Sequence, residues 1–558
     1  MDESIDSYFD VVVCGTGPAE SILAGALARA GKKVLHVDKH ELYGTPFTTV
    51  DVHGMCALVD SNGGGREGME NGINECSLPS TIRRGRWTIH AEDRLGAQRR
   101  YNLDRMIPFS YCDGGLVNTL LKGGVGNYLE FQLISSLHLY SGDAFETVPS
   151  SKSDVFQTKT ISMLEKRKLM KFMHACMGDE GSDEVGAEGG FVPQKNIEKV
   201  STEEEQRYSD EPFLSFLSFF KLTEKLQRIV MFAICFATSE AEASQMKTKE
   251  GLRRLRRYFA SMGKYGNSSF LWPLYGAGEV AQAFCRLCAV FGGTYVLRRS
   301  IKEVVMEEDD GKKRVKSIID SNGQSIEVKA VVAGPEYLSP PVQEKGALLR
   351  WTGILDSPVV NTDGHTVALI FPPGSTGDGR GKGQTIRGLQ MDKASVAAVE
   401  GTYVLHLEAY ADHFGEANSV DEYFQPVISR LLRVGDSEKN EGKPSVLASF
   451  SFCQPVYDTQ PVQVERGLFF LHSFGADLTF EPYLASAEEV FHSICGGEVE
   501  FLEKVLSPEE QAEQAELEAQ IEAEERAKAA KIQTEEAIAV AGAVVEDVLD
   551  VVAARNGD

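Results

Sequence analysis

The sequence predicts an α/β protein: a large domain of mixed and parallel sheets, with a smaller all-helical domain set into it. Three observations carry this prediction. Residues 9–38 run strand, glycine-rich turn, small-residue helix, strand, which is the order of a βαβ unit. Residues 213–237 are the most apolar part of the chain, and their apolar positions recur at helical spacing. Beyond residue 300 the pattern becomes strand-like runs broken by turn residues such as Asp309-Asp310-Gly311. With 558 residues, 42% hydrophobic and 25% charged, the chain has a globular composition and room for two cores and a tail. The expected division is a first part of the large domain at 1–150 and a helical domain at 151–262 carrying an acidic insertion at 178–212. The second part of the large domain follows at 263–505, then a charged helical tail at 506–558.

Charge and cysteine usage exclude several function classes. A net charge of −25 argues against a nucleic-acid partner, because phosphate neutralisation needs lysine and arginine in excess. Ten cysteines, sparse and irregularly spaced, fit reduced intracellular thiols. Cys285 and Cys288 form a C-x-x-C in mid-helix with no second pair, so core packing is expected rather than a metal site. The acidic N-terminus lacks an apolar signal region, no run approaches the ~18 apolar residues of a membrane span, and the terminal RNGD is not a prenylation box. The expectation is a soluble, cytosolic protein. No Ser-His-Asp order, zinc signature or P-loop is present, which points away from an enzyme.

Taken in order, Phe9 to Cys14 reads as a buried strand, followed by a turn with Gly15 and Gly17, a helix over 21–30, and a second strand over 34–37 ending at Asp38. This matches a dinucleotide fingerprint except at its third glycine, which is Glu20. A carboxylate there crowds helix against strand and opposes the pyrophosphate that a helix N-terminus would otherwise attract. Tyr43-Gly44 then forms a turn, and 60–85 reads as a glycine-rich surface loop. Leu116, Leu120 and Leu121 have helical spacing. A helical segment covers 159–173, and 178–212 reads as a solvated insertion. Phe213, Phe216, Leu217 and Phe220 share a helix face, and Thr223 is placed to cap a second helix over 224–237. That second helix is apolar around most of its circumference, so it is core or lines a pocket for something apolar. A basic amphipathic helix over 251–259 closes the region.

The stretch 270–297 is the most informative. An aromatic run is punctuated by Pro273, Gly276 and Gly278; a helix over 279–291 follows, stopped by Gly292-Gly293, and then a strand over 294–297. Glu279, Gln282 and Arg286 line one polar side of the helix, a pattern that a plain solvated face would also produce. Strands are expected over 301–326, 328–333, 365–371, 402–407 and 467–472, with helices near 420–434 and 485–495.

The blocks 9–44, 100–131, 153–173 and 263–300 resemble the Rab escort proteins and their relatives, the Rab GDP-dissociation inhibitors, and the resemblance extends over about 8–505. It implies a large domain like that of flavin oxidases that binds no flavin and no other cofactor. It further implies a Rab-binding platform of Tyr43, Glu279, Gln282, Arg286 and Thr294, and a cavity for the Rab C-terminus at Leu121, Val125 and Tyr128. The helical domain would hold a geranylgeranyl chain against Leu226, Val230, Ala233 and Ile234, closed without lipid and parting on binding. Phe213 and Phe220 are the expected contact with Rab geranylgeranyltransferase. Implied partners are GDP-bound Rab GTPases, unprenylated and prenylated, the transferase, the lipid and, transiently, a membrane. The 153–173 block and the wording FCRLCAVFGG favour the escort branch. A recycling GDP-dissociation inhibitor is the near alternative, and a flavin-dependent oxidoreductase with a degenerate fingerprint the distant one. Gly44-Thr45 departs from the Gly-Gly usual in those relatives.

Overall fold

Tyr8–Cys14 is almost wholly apolar, as a strand covered on both faces must be, and it lies between two parallel neighbours, Val34–Asp38 and Ser325–Ala333. The computed structural model describes residues 5–63, 82–149, 161–177, 203–334, 337, 344–361, 365–376, 383–412, 419–434, 442–457, 462–472, 475 and 478–503. Among these, Thr294–Leu297 extends the parallel set beyond Val34–Asp38. On the far side the hairpin Ile301–Asp309 and Lys312–Asp320 joins antiparallel, and Leu468–Phe470 pairs parallel with the second half of Ser325–Ala333. The mixed sheet and the βαβ opening expected from the sequence are thus present.

Pro18–Arg29, the crossover helix, has ten buried residues in its twelve. Gly25 permits the close approach of the Gly278–Val290 helix: a Cβ at Gly25 would stand 3.2 Å from the Phe284 carbonyl oxygen. A second sheet is built around the long strands Glu344–Leu355, Tyr403–Ala411 and Val446–Tyr457, with Arg83–Ile89 at one end and the Ser136–Ser141 hairpin at the other. A third, small sheet sets Phe270–Pro273 between Ser110–Tyr111 and Phe131–Leu133. Among the described residues, the chain up to Leu502 is one compact unit.

The helical region comprises Met163–Met177, Glu203–Tyr208, Phe213–Phe219, Glu224–Arg228, Glu240–Gln245 and Thr248–Ser261. The single helix expected over 224–237 is not observed. Its α-helical part stops at Arg228, Ile229–Ile234 winds as a π-helix, and Phe236 ends it with φ of 53°. All six π-helical residues are buried. Thr223 does not cap this helix through its side chain; its hydroxyl donates to Glu165 Oε1 at 2.8 Å, a charge-assisted bond to the neighbouring helix. The loop expected over 60–85 is shorter than its composition suggests, since Val52–Gly63 is helical and Arg83–Ile89 is a strand. The remainder of that loop, Ser153 to Phe156, most of the acidic insertion and the 506–558 tail lie outside the described residues.

Candidate functional site

The Gly278–Val290 helix is anchored at its N-terminus by a carboxylate that sequence reading did not single out. Asp104 Oδ1 accepts the Thr49 hydroxyl at 2.6 Å and the Ala277 N–H at 2.7 Å. Gly276 has φ of +104°, and a Cβ there would stand 2.6 Å from the same Asp104 oxygen, so the turn needs glycine on both counts. Asp104 is fully buried. Desolvation pushes its pKa up to about 7 against the opposing pull of Thr49, the Ala277 N–H and the Arg350 charge. Gly44, at φ +85°, brings the Tyr43 turn against the same helix end, with Gly278 Cα 3.6 Å from where its Cβ would be.

The polar side expected of this helix exists. Gln282 and Arg286 are exposed and Glu279 is half-buried, while Val280, Phe284, Leu287 and Cys288 pack inward. Burial raises the Glu279 pKa. Tyr43 is half-buried and meets Tyr295 edge-on with ring centroids 6.0 Å apart. Tyr295 in turn bonds His36 Nδ1 at 2.7 Å, and Thr294 stands beside it on the edge strand. Cys285 and Cys288 are buried thiols raised by desolvation, as the core reading expects.

The three residues assigned to a C-terminus cavity fare differently. Leu121 is 60% exposed, Tyr128 is half-buried, and Val125 is buried completely. Val125 therefore supports the turn from below. Arg286 lies over the Tyr128 ring, 4.5 Å from its centroid, which joins the two sequence-predicted sites into one surface. Arg29, which the sequence did not mark, extends it: it donates to the Gly123 carbonyl at 2.7 Å and lies over Phe291 at 5.7 Å. Phe291 and Val290 are 46% and 63% exposed, so with Leu121 they form an apolar margin beside the polar helix face.

The dinucleotide fingerprint is filled by the chain itself. A Cβ at Gly17 would meet Glu20 Oε2 at 2.6 Å, so the Glu20 carboxylate occupies the space over the turn where a pyrophosphate would approach. Asp38 is already taken up by the Thr16 and Tyr337 hydroxyls, each at 2.6 Å, and by the His40 N–H at 2.8 Å. Gly15 would meet Tyr337 at 2.8 Å if it carried a Cβ. These residues do not fit a dinucleotide.

Leu226, Val230 and Ile234 line a narrow apolar cavity of about 20 Å³ with Leu169, Phe172, Leu255 and Phe259. It is a seam between packed helices. Ala233 is buried but does not line it, because the π-helical winding displaces that position. Phe213 is not surface: it is 0% exposed, with its ring against Gly251, where any Cβ would collide with it. Phe220 is half-buried against Phe172 and Phe216, and the exposed aromatic of this helix is Phe219. The expectation of a transferase contact through Phe213 is corrected accordingly.

The family model for GDP dissociation inhibitors matches residues 1–74 and 71–381, and the chain belongs to that family. Within it, the chain is 29% identical to "Rab proteins geranylgeranyltransferase component A" of Drosophila melanogaster, over 91% of this chain and 93% of that protein. It is 26% identical to "Rab escort protein 1" of Arabidopsis thaliana, covering 91% of this chain and 96% of that protein. Among solved structures, a Rab GDI from Plasmodium falciparum shares the fold, with a TM-score of 0.65 at 19% identity over 90% of this chain and all of that one.

Proposed function

We propose that the chain is a non-catalytic Rab escort protein. It would bind a GDP-bound Rab GTPase on the Gly278–Val290 helix, present it to a geranylgeranyltransferase and shield the attached lipid on the way to a membrane. The observation that carries this reading is the Arg286–Tyr128 contact, which joins the polar helix face to the Val125–Tyr128 turn, with Leu121 and Phe291 exposed as apolar side chains on the same two segments' flanks. A globular GTPase followed by an extended tail needs a surface with both characters. The names of relatives aligned along more than nine-tenths of the chain support the escort reading.

In this scheme the apolar seam against Val230 and Ile234 is the closed form of the lipid site. A chain of about twenty carbons gains ~0.8 kcal/mol per methylene on burial, enough to part helices that enclose little space. The helical region over 151–262 serves as the lipid-handling part. Phe219 replaces Phe213 as the aromatic anchor offered to the transferase.

The test is a titration of unprenylated, GDP-bound Rab against wild-type and Arg286→Ala protein. Loss of a charge-assisted contact of about 1.5–3 kcal/mol weakens binding about tenfold or more. Equal affinity of a folded variant would overturn the platform assignment. The second reading, a recycling inhibitor, is favoured by a 26% identical dissociation inhibitor from Arabidopsis thaliana that matches 88% of the chain. It requires that only prenylated Rab binds tightly, and the same titration with both forms decides.

A further inference from the structure

A second cavity differs from the apolar seam in size and in chemistry. It has a volume of about 740 Å³ and lies between the Thr248–Ser261 helix, the ends of Tyr403–Ala411 and Val446–Tyr457, and the start of the Glu481–Cys495 helix. That is the size of a site for a small organic ligand, ~300–1,000 Å³. Arg253, Arg254 and Arg257 line it from one helix, Arg387 lines it from the sheet, and Lys345 stands exposed at its rim. In a chain of net charge −25, composition does not explain five basic side chains on one cavity.

The acidic groups that face the cavity are Glu242, Glu481 and Asp412. Glu242 is held by Arg254 at 2.9 Å and by the Thr238 N–H and hydroxyl at 2.7 and 2.6 Å. Glu481 accepts the Gly115 N–H at 3.0 Å and the Leu116 N–H at 3.5 Å, and Asp412 is exposed. Arg253 is occupied by Glu250 through two bonds of 2.8 Å, and Arg387 donates to Glu408. Arg257 is different. It stands 3.8 Å from Glu481, beyond hydrogen-bond length, and its buried Nε has no hydrogen-bond partner among the described residues. Its ion pair with Glu481 is long and its buried Nε is left without an acceptor among the described residues, which is costly, and an anionic oxygen entering the cavity would complete its bonding.

We propose that this cavity binds a phosphate-bearing anion, with Arg257 as the main ligand and Arg253 and Arg387 beside it. Planar guanidinium groups pair with phosphate oxygens in a way that lysine does not, which fits a cavity interior lined by arginine with lysine only at the rim. Tyr111 and Thr479 also line it. The anion is either a free phosphorylated small molecule or the headgroup of a phosphorylated lipid, since both offer the same oxygens. The inference does not depend on the GTPase reading, because the cavity shares none of the residues assigned to the platform.

The experiment uses the whole chain. Calorimetric titrations with sodium diphosphate and with inositol hexakisphosphate are run beside co-sedimentation with phosphatidylcholine vesicles carrying phosphatidylinositol bisphosphate. Saturable binding is expected, weakened about tenfold by Arg257→Gln, with the circular dichroism spectrum and Rab affinity unchanged. Arg253→Gln is the second variant, informative even if Arg257→Gln fails to fold. Binding of the soluble anions alone supports a free phosphorylated molecule; stronger retention on the vesicles supports a lipid headgroup. No saturable binding in any arm, or binding unaffected by both substitutions, overturns the proposal.

Discussion

Asp104 shows how much a single residue can govern. Its carboxylate ties the loop at Thr49 to the first turn of the Gly278–Val290 helix while itself fully buried, and its second oxygen has no hydrogen-bond partner among the described residues. Burial raises its pKa from 3.8 to about 7, so its protonated form is the better tolerated one in the folded protein. A raised folded-state value means that this group's contribution to stability is complete below about pH 4 and is lost as pH climbs through about 7. Asp104→Asn keeps an acceptor for Thr49 and Ala277 without the charge. Thermal melts across pH 4 to 8 should therefore show a flatter profile for the variant, with its advantage over wild type largest at the alkaline end. Parallel profiles would remove Asp104 as the titrating group. Arg286 is the complementary case at the surface. Arg286→Lys keeps the charge and removes the guanidinium over the Tyr128 ring, so Rab affinity should fall less than in Arg286→Ala but still measurably.

At the scale of elements, the helical region answers to packing before it answers to propensity. The Glu224–Arg228 helix opens into a π-helical turn in which every residue of Ile229–Ile234 is buried, a change of winding that its apolar sequence does not announce. Phe213→Ala should lower stability by about 3–5 kcal/mol, the range for emptying a fully buried aromatic site, with loss of Rab binding only where the fold is lost. A melting temperature equal to wild type would contradict its core position. Filling the seam tests the lipid assignment. Val230→Trp should weaken binding of prenylated Rab more than of unprenylated Rab, because Val230 lines the seam whereas Ala233 does not. Equal losses, measured side by side, would place the lipid elsewhere. Some loss of stability is expected in this variant from overpacking, about 1–3 kcal/mol, so the ratio of the two affinities is the informative quantity.

For the whole molecule, the architecture and the chemistry have separated. The βαβ opening, the crossover helix and the acidic residue closing the second strand all persist, yet Glu20 fills the turn and Asp38 is satisfied by Thr16 and Tyr337. Purified protein should show no flavin absorption and should not take up added FAD. Glu20→Gly alone should not restore uptake, because Tyr337 remains over Gly15 and bonded to Asp38. Stoichiometric FAD on the single variant would show that Glu20 is the whole obstacle.

The sequence by itself determined the α/β class, the βαβ start, the amphipathic helix near 279–291 and its polar side of Glu279, Gln282 and Arg286, because each is written in local spacing. It also marked Glu20 as the residue that spoils the fingerprint, since a charge is wrong there whatever the fold. What only the tertiary structure decided depends on neighbours far apart in the chain. Phe213 looks like an available aromatic until Gly251 is placed against its ring. Arg286 and Tyr128 belong to separate blocks until the helix and the Val125–Tyr128 turn are packed together. Asp104 carries no local pattern, and the basic pattern over 251–259 does not say that its arginines face a cavity. Their roles arise from burial and from partners that no spacing rule connects, and burial is a property of the assembled core rather than of any stretch of chain.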